Sequence, residues 1–321
     1  MILDTVLVTG ASGQIGSELV TALSEKGYKV IASDLRAAAN LASDENIVFE
    51  RLDVMDSEAL NSLIQKHRPT QIYHLAALLS ATAEKNPSLA WEVNMKGLLN
   101  ILDASVANKI SKVFYPSTIA VFGNTTPKEN TPQLTITEPE TIYGISKLAG
   151  ESWCAYYHKH KNLDIRSIRY PGLISYKTKA FGGTTDYAVD IFFEAVKNKS
   201  YTCFLSKDTK LPMMYMPDAI AGTIALMEAP AEKIKIRNGY NFAAFSFTPE
   251  ELANEIKNII LDFTINYEPD FRQKIAESWP KTIDDSVAKA DWGWIPRFSI
   301  AAMAKDMIKN IEKKEAISNH F

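Results

Sequence analysis

Thr5-Val6-Leu7-Val8-Thr9-Gly10-Ala11-Ser12-Gly13-Gln14-Ile15-Gly16 decides the fold of this chain. Its first five residues are apolar or β-branched and read as a buried strand. Three glycines follow at intervals of three, and a helical pattern then runs to about Lys26, closed by Gly27. Without side chains, Gly10 and Gly13 permit a tight turn and the close approach of a pyrophosphate. Gly16 lets the helix pack on the strand, with phosphates at the positive helix N-terminus. Glycine trios also occur in plain turns. The strand before this one and the helix after it give it weight.

Further strand-like runs occupy residues 28–33, 47–51, 71–75, 112–115 and 164–168, and helical patterns occupy 57–67, 88–108 and 143–160. Strands alternating with helices predict an α/β fold: a Rossmann-type doubly wound parallel sheet covered on both faces. After about Arg169 the alternation loosens, and Pro171, Gly172, Gly182, Gly183, Pro212, Pro217 and Pro230 punctuate shorter elements. The expected division is a dinucleotide-binding domain over 1–170 and a smaller mixed α/β substrate-binding lobe over 171–321, some of whose segments return to the first. The tail, 300–314, has Met303, Met307, Ile308 and Ile311 spaced for one face of a helix.

The 321 residues carry a formal charge of -3 and 46% hydrophobic residues. Such a balance gives no general electrostatic reason to expect nucleic acid. The N-terminus runs straight into a strand and no apolar run approaches the ~20 residues of a membrane span, so a soluble cytoplasmic protein is expected. Cys154 and Cys203 sit among apolar or aromatic neighbours and read as reduced core residues. Histidines stand at 67, 74, 158, 160 and 320. His158 and His160 point to different faces of a helix, and with no cysteine partners nearby a metal site is not expected.

Asp34 ends the second strand, eighteen residues after Gly16. A carboxylate there accepts both adenosine ribose hydroxyls and repels a 2′-phosphate, so NAD is favoured over NADP. Arg36 opposes this, because it would neutralise a 2′-phosphate if it turned inward. Asp53, at the end of the third strand, is placed to bond the adenine amino group, with a simple turn as the other reading. Tyr143 and Lys147, in Thr141-Ile142-Tyr143-Gly144-Ile145-Ser146-Lys147, lie four apart and share a helix face. A phenol titrates near pH ~10 in water. A lysine cation and a positive nicotinamide ring would both favour phenolate, making Tyr143 a proton acceptor.

The glycine turn, Asp53, His74-Leu75-Ala76-Ala77, Asn94 in Val93-Asn94-Met95-Lys96-Gly97, Pro116-Ser117-Thr118 and the Tyr143/Lys147 pair occur in the order of an extended short-chain dehydrogenase/reductase, which the chain resembles. That superfamily includes nucleotide-sugar epimerases and dehydratases. The resemblance implies that Thr118, Tyr143 and Lys147 are catalytic, with Ser117 as a neighbouring backbone or supporting group. It implies a cofactor site formed by Gly10, Gly13, Gln14, Ile15, Gly16, Asp34, Arg36, Asp53, Val54, Leu75, Ala76, Ala77, Asn94, Tyr143, Lys147 and Tyr170. Tyr170-Pro171-Gly172 would pass the nicotinamide carboxamide. Dehydratases place an Asp-Glu pair straight after the catalytic Thr. Ile119 and Ala120 stand there instead and cannot transfer a proton, so dehydration is disfavoured.

Gly182-Gly183-Thr184-Thr185-Asp186-Tyr187, Leu211-Pro212-Met213-Met214-Tyr215-Met216, Ser278-Trp279-Pro280 and Asp291-Trp292-Gly293-Trp294 are similar to the short-chain family of L-threonine 3-dehydrogenases. That likeness implies NAD-dependent oxidation of the C3 hydroxyl of L-threonine to 2-amino-3-oxobutanoate, without a metal. Thr118, Tyr143, Ser80, Gly183, Thr184, Thr185 and Trp279 would meet the amino acid. Gly182-Gly183 also reads as a turn, Ser80 as a helix cap and Trp279 as a core residue. The other function classes are a nucleotide-sugar 4-epimerase and a non-catalytic NAD-sensing protein. Related enzymes pair two helices per subunit, so a two-fold homodimer is expected through 88–108 and 143–160, with Trp153, Tyr156 and Tyr157 as excess apolar surface.

Overall fold

Val6 and Val8 of the first strand enter one apolar core and Leu7 enters another, because successive strand residues face opposite sides of a sheet. Val30 and Ala32 of the second strand divide from Ile31 in the same way. The computed structural model describes residues 3–36, 44–177 and 183–318. In chain order its strands are β1 (Leu3–Thr9), β2 (Tyr28–Asp34), β3 (Ile47–Arg51), β4 (Gln71–His74), β5 (Lys112–Thr118), β6 (Asp164–Tyr170), β7 (Gly172–Ile174), β8 (Ser200–Cys203), β9 (Leu211–Tyr215), β10 (Tyr240–Asn241), β11 (Phe245–Phe247) and β12 (Thr264–Tyr267).

A seven-stranded sheet has the order β10-β6-β5-β4-β1-β2-β3, and every neighbouring pair is parallel. The helices Gln14–Glu25 and Met216–Glu228 cover one face; Ser57–His67, Gly97–Ala107 and Ile142–Lys161 cover the other. The expected doubly wound architecture is the observed one. Strand order reverses at β1, which lies between β2 and β4. A crevice therefore opens beyond the carboxyl ends of β1 and β4.

The second half adds a sheet in the order β11-β9-β7 and a parallel β8–β12 pair. The helices Tyr187–Asn198, Pro249–Lys257 and Ile300–Ser318 enclose a third core there. Met303, Met307, Ile308 and Ile311 are all buried in it, as their spacing predicts. β10 crosses back to join the large sheet beside β6. Arg166 on β6 is fully buried, and its guanidinium donates to the carbonyls of Leu226, Met227 and Ala229 at 2.6, 3.1 and 2.6 Å. These close the end of Met216–Glu228 and fasten that helix to the sheet.

Two differences from the sequence reading bear on the site. β5 and β6 run longer than expected because their pairing continues from Pro116↔Ile168 to Thr118↔Tyr170, which puts Thr118 on a strand tip. The expected single helix over 88–108 is divided: Pro87–Trp91, a π turn over Glu92–Lys96, then Gly97–Ala107. Among the described residues no helix is long and apolar enough to cross a membrane. Cys154 and Cys203 are both free and buried.

Candidate active site

At the carboxyl end of β1, Gly10 adopts φ +71, and a Cβ there would lie 2.6 Å from Ala76 N. A Cβ on Gly16 would lie 2.1 Å from Gly10 O. Both positions therefore require glycine, one for its backbone sign and closeness, the other for helix packing. Gly13 is exposed at the helix N-cap, and a Cβ there would approach only Gly10 O, at 3.2 Å. That opening admits a ligand's backbone approach to the first turn, where Gln14 and Ile15 begin the helix with N–H groups lacking helical acceptors.

Asp34 ends β2 with its carboxylate held in place. It accepts the Ser12 N–H at 3.0 Å and the Leu35 N–H at 2.7 Å. The Ser12 hydroxyl donates to Arg36 O at 2.7 Å. A cleft of about 500 Å³ next to it is lined by Leu35, Arg36, Phe49 and Arg51. Arg51 was not anticipated. It stands opposite Asp34 in the β2–β3 register, a signal available only once the pairing is known. Asp53 Oδ1 accepts the Met55 N–H at 2.9 Å, so one carboxylate oxygen forms the turn. Val54 is buried, and a Cβ on Gly97 would lie 2.9 Å from its Cγ2.

Leu75, Ala76 and Ala77 follow β4 and are half-buried over the glycine turn. Asn94, expected at the cofactor, clamps the next backbone unit in the protein alone. Its Oδ1 accepts the Leu78 N–H at 2.8 Å, while its Nδ2 donates to Leu78 O and Ser146 Oγ, each at 3.1 Å. Both amide hydrogens are thereby used within the protein. Asn94 lies on the π turn, an irregularity that aims its side chain out of helical register.

The helix Ile142–Lys161 starts where Thr141 Oγ1 accepts the Gly144 N–H at 3.0 Å. A Cβ on Gly144 would lie 2.1 Å from Ala120 O, so the helix docks directly on the 3₁₀ turn Ile119–Val121. This brings the Tyr143 phenol beside the Thr118 hydroxyl, which accepts the Ala120 N–H at 3.2 Å. One turn on, Lys147 Nζ donates to Pro116 O at 2.7 Å. It lies 4.7 Å from the Tyr115 ring centroid and 5.7 Å from that of Tyr143.

Burial pushes the Tyr143 phenol up to about 12, with the neighbouring Thr118 hydroxyl acting the other way. Burial likewise brings Lys147 down to about 8. In the protein alone the Lys147 ammonium is committed to a carbonyl, and burial makes the Tyr143 phenol a weaker acid than in water. His74, beside Thr9 Oγ1 at 2.8 Å, falls to about 3 through burial first and the Lys147 charge second.

The second half supplies the remaining wall. Thr184 is buried, and a Cβ on Gly172 would lie 2.8 Å from Thr185 Cβ, so Thr185 packs just beyond the tip of β6. Gly183 N–H donates to Asp186 Oδ2 at 2.6 Å; Gly182 lies outside the described residues. Ser80 opens the short helix Ser80–Lys85 with Leu79 at the cap position, so it does not act as the cap. Trp279 is a buried member of the third core, against which Tyr143 also packs. Tyr170 points away: its hydroxyl bonds that of Thr223, and its ring meets Phe114 and Phe242. Only the backbone of that segment is left to face a carboxamide. A group the sequence reading missed lies behind Thr118, where the Ser117 hydroxyl donates to Glu151 at 2.5 Å.

Residues 6–241 match the model of the family described as "NAD dependent epimerase/dehydratase family". An uncharacterised epimerase/dehydratase of Staphylococcus aureus is 46% identical over 318 residues, covering 98% of this chain and 99% of the relative. Among solved structures, the holo form of a GalE-like L-threonine dehydrogenase from Cupriavidus necator is 52% identical. It aligns with a TM-score of 0.92 over 96% of this chain and 99% of its own. A monomeric L-threonine 3-dehydrogenase from a metagenome, in its apo form, is 47% identical, with a TM-score of 0.91 and coverages of 96% and 99%.

Proposed function

The chain belongs to the NAD dependent epimerase/dehydratase family, and on that premise we propose that it oxidises the C3 hydroxyl of L-threonine to 2-amino-3-oxobutanoate. The observation that carries the chemistry is the placement of the Tyr143 phenol beside the Thr118 hydroxyl with Lys147 one helical turn away. The choice of substrate is supported by the L-threonine dehydrogenases that this chain resembles over nearly its whole length.

The crevice fits a dinucleotide. A side chain at Gly10 or Gly16 would collide with backbone, and Gly13 leaves the helix start open. Gly10, Gly13, Gln14, Ile15 and Gly16 would hold the pyrophosphate, and Asp34 the adenosine ribose. Arg36 and Arg51 border the adenosine cleft, but the prearranged Asp34 carboxylate favours NAD over NADP. When bound, NAD supplies the hydride acceptor. Thr118 then orients the substrate hydroxyl and Tyr143 takes its proton. Lys147, brought down to about 8 by burial and still mostly protonated at neutral pH, holds a ribose hydroxyl and keeps positive charge near the phenol. Thr184 and Thr185 line the carboxylate end, with Ser80 opposite.

Dehydration finds no acid here, since Ile119 and Ala120 are buried apolar residues. In this reading residues 1–170 carry the cofactor, and 171–321 shape the substrate pocket. Two copies associate through the faces that bear Trp91 and Trp153, both exposed.

The deciding experiment incubates the protein with NAD and L-threonine, and separately with UDP-sugars. NADH formation from L-threonine at a rate above that from L-serine or 3-hydroxybutyrate is expected. Interconversion of UDP-sugars with no NADH from threonine would place the chain with the 4-epimerases. NAD binding with neither activity would make it a sensor.

A further inference from the structure

Tyr143, Lys147 and Glu151 follow one another at four-residue spacing on the helix Ile142–Lys161 and share its inward face. The mechanism above uses the first two. Glu151 is 1% exposed and Arg169, on β6, is 4% exposed. Arg169 Nε and the second guanidinium nitrogen, Nη2, donate to the two Glu151 oxygens at 2.8 Å each, a paired geometry that fixes the carboxylate plane. The remaining Arg169 nitrogen donates to Gln133 O at 3.3 Å and Asn241 Oδ1 at 3.2 Å. Two strands therefore hold the acid from behind.

In front, Glu151 Oε1 accepts the Ser117 hydroxyl at 2.5 Å. Ser117 pairs with Arg169 in the β5–β6 register, and Thr118 is the next residue. Lys147 is bonded to Pro116 O. Successive turns of the helix are thus fastened to successive residues of β5 just before Thr118, and Thr118 meets Tyr143 on the turn before. Even the space is kept clear: Gly239 has φ +112, and a Cβ there would lie 2.8 Å from Glu151 Oε1.

We propose, building on the dehydrogenase reading, that Glu151 is a positioning residue of the reaction: clamped by Arg169, its carboxylate fixes Ser117 and so sets the Thr118 hydroxyl against Tyr143. A helix and a strand end that slide by even a fraction of an ångström lose that alignment, and displacements of about 1 Å cost rates of order 10²-fold. A buried ion pair need not raise stability over an apolar pair, so a geometric role accounts for its place beside the catalytic groups.

The test compares wild type with Ser117→Ala and Glu151→Gln as full-length protein. Three quantities are measured: NAD affinity by calorimetry, kcat and KM with L-threonine, and titration of the Tyr143 phenol at 295 nm in NAD-loaded protein, with Tyr143→Phe as the blank. Facing that phenol are the Thr118 hydroxyl and Tyr115 phenol from β5 and Lys147 from its own helix. Both variants are expected to lose at least tenfold in kcat with KM and NAD affinity within twofold, and to titrate Tyr143 at higher pH as the Thr118 hydroxyl moves away from the phenol. Unchanged kcat and an unchanged titration in Ser117→Ala overturn the proposal, as does a loss confined to NAD affinity. Ser117→Ala keeps the Glu151–Arg169 pair and decides the matter if Glu151→Gln does not fold. If wild type makes no NADH from L-threonine, the substrate reading fails by itself, and the phenol titration, which needs no substrate, still decides the role of Glu151.

Discussion

Tyr143 meets two opposed demands. Partial burial would shelter the proposed reaction from water, yet it also pushes the phenol up to about 12, away from the pH at which it would accept a proton. Replacing it tests which demand matters. Tyr143→Phe keeps the ring and its packing, so NAD binding should persist while NADH formation falls by about 10²–10⁴-fold. Stopped-flow detection of a normal hydride-transfer rate in that variant rules out the role. His74 makes a second residue-scale prediction. Its folded value, about 3, lies below the ordinary value, 6.5. Between these the unfolded chain binds a proton that the folded chain refuses, so stability is lost as pH falls from 6.5 toward 3. From pH 7.5 to pH 5 wild type should lose about 2 kcal/mol more than His74→Gln in urea unfolding. Equal losses would show that His74 is not held neutral.

The elements around the site are fastened by side chains that their own periodicity does not explain. The π turn Glu92–Lys96 delivers Asn94 to the backbone of Leu78 and to Ser146 on the helix Ile142–Lys161. Removing that amide leaves part-buried backbone groups without partners. Asn94→Ala should therefore destabilise the protein by about 1–3 kcal/mol. It should also loosen the segment that passes the cofactor, raising the Kd for NAD. Thermal melting and NAD titration check both halves, and an unchanged Tm would count against the clamp. Tyr157 shows the reverse surprise. Expected as part of an outer apolar face, it turns inward, where its hydroxyl donates to Asp103 at 2.6 Å and ties the helix Ile142–Lys161 to its neighbour.

At the scale of the molecule, the two helical stretches expected to pair between subunits still expose Leu89, Trp91 and Val106 on one and Ile145, Trp153 and Tyr156 on the other. Trp153 and Tyr156 are in edge contact, with ring centroids 5.7 Å apart, and both remain in solvent. Exposed large apolar side chains on both stretches suit a face covered by a second copy. Sedimentation equilibrium at micromolar concentration is expected to give a dimer, and Trp153→Glu together with Tyr156→Glu a monomer. Because one solved relative is described as monomeric, a monomeric wild type is a concrete possible outcome and would remove the assembly proposal without touching the chemistry.

Local pattern alone determined the alternating sheet and helices, the glycine turn, the acid ending β2 and the Tyr143/Lys147 face. Each depends on the chain's geometry over a few residues: a period of two, a period near four, or glycines at fixed spacing. Even the amphipathic tail was legible, because one apolar stripe needs only one partner surface. Tertiary structure decided the rest. Tyr170 lies in a strand whichever way its ring points, and only the packing of Phe114 and Phe242 sends it away from the site. Arg51 reaches the adenosine cleft through a register between strands. Trp279 became a core residue because the third core closed over it. Arg169 meets Glu151 from 18 residues away and Asn241 from 72. Such pairings carry no signal within a helical turn or a strand. They arise when distant backbone is brought together and buried polar groups must find partners.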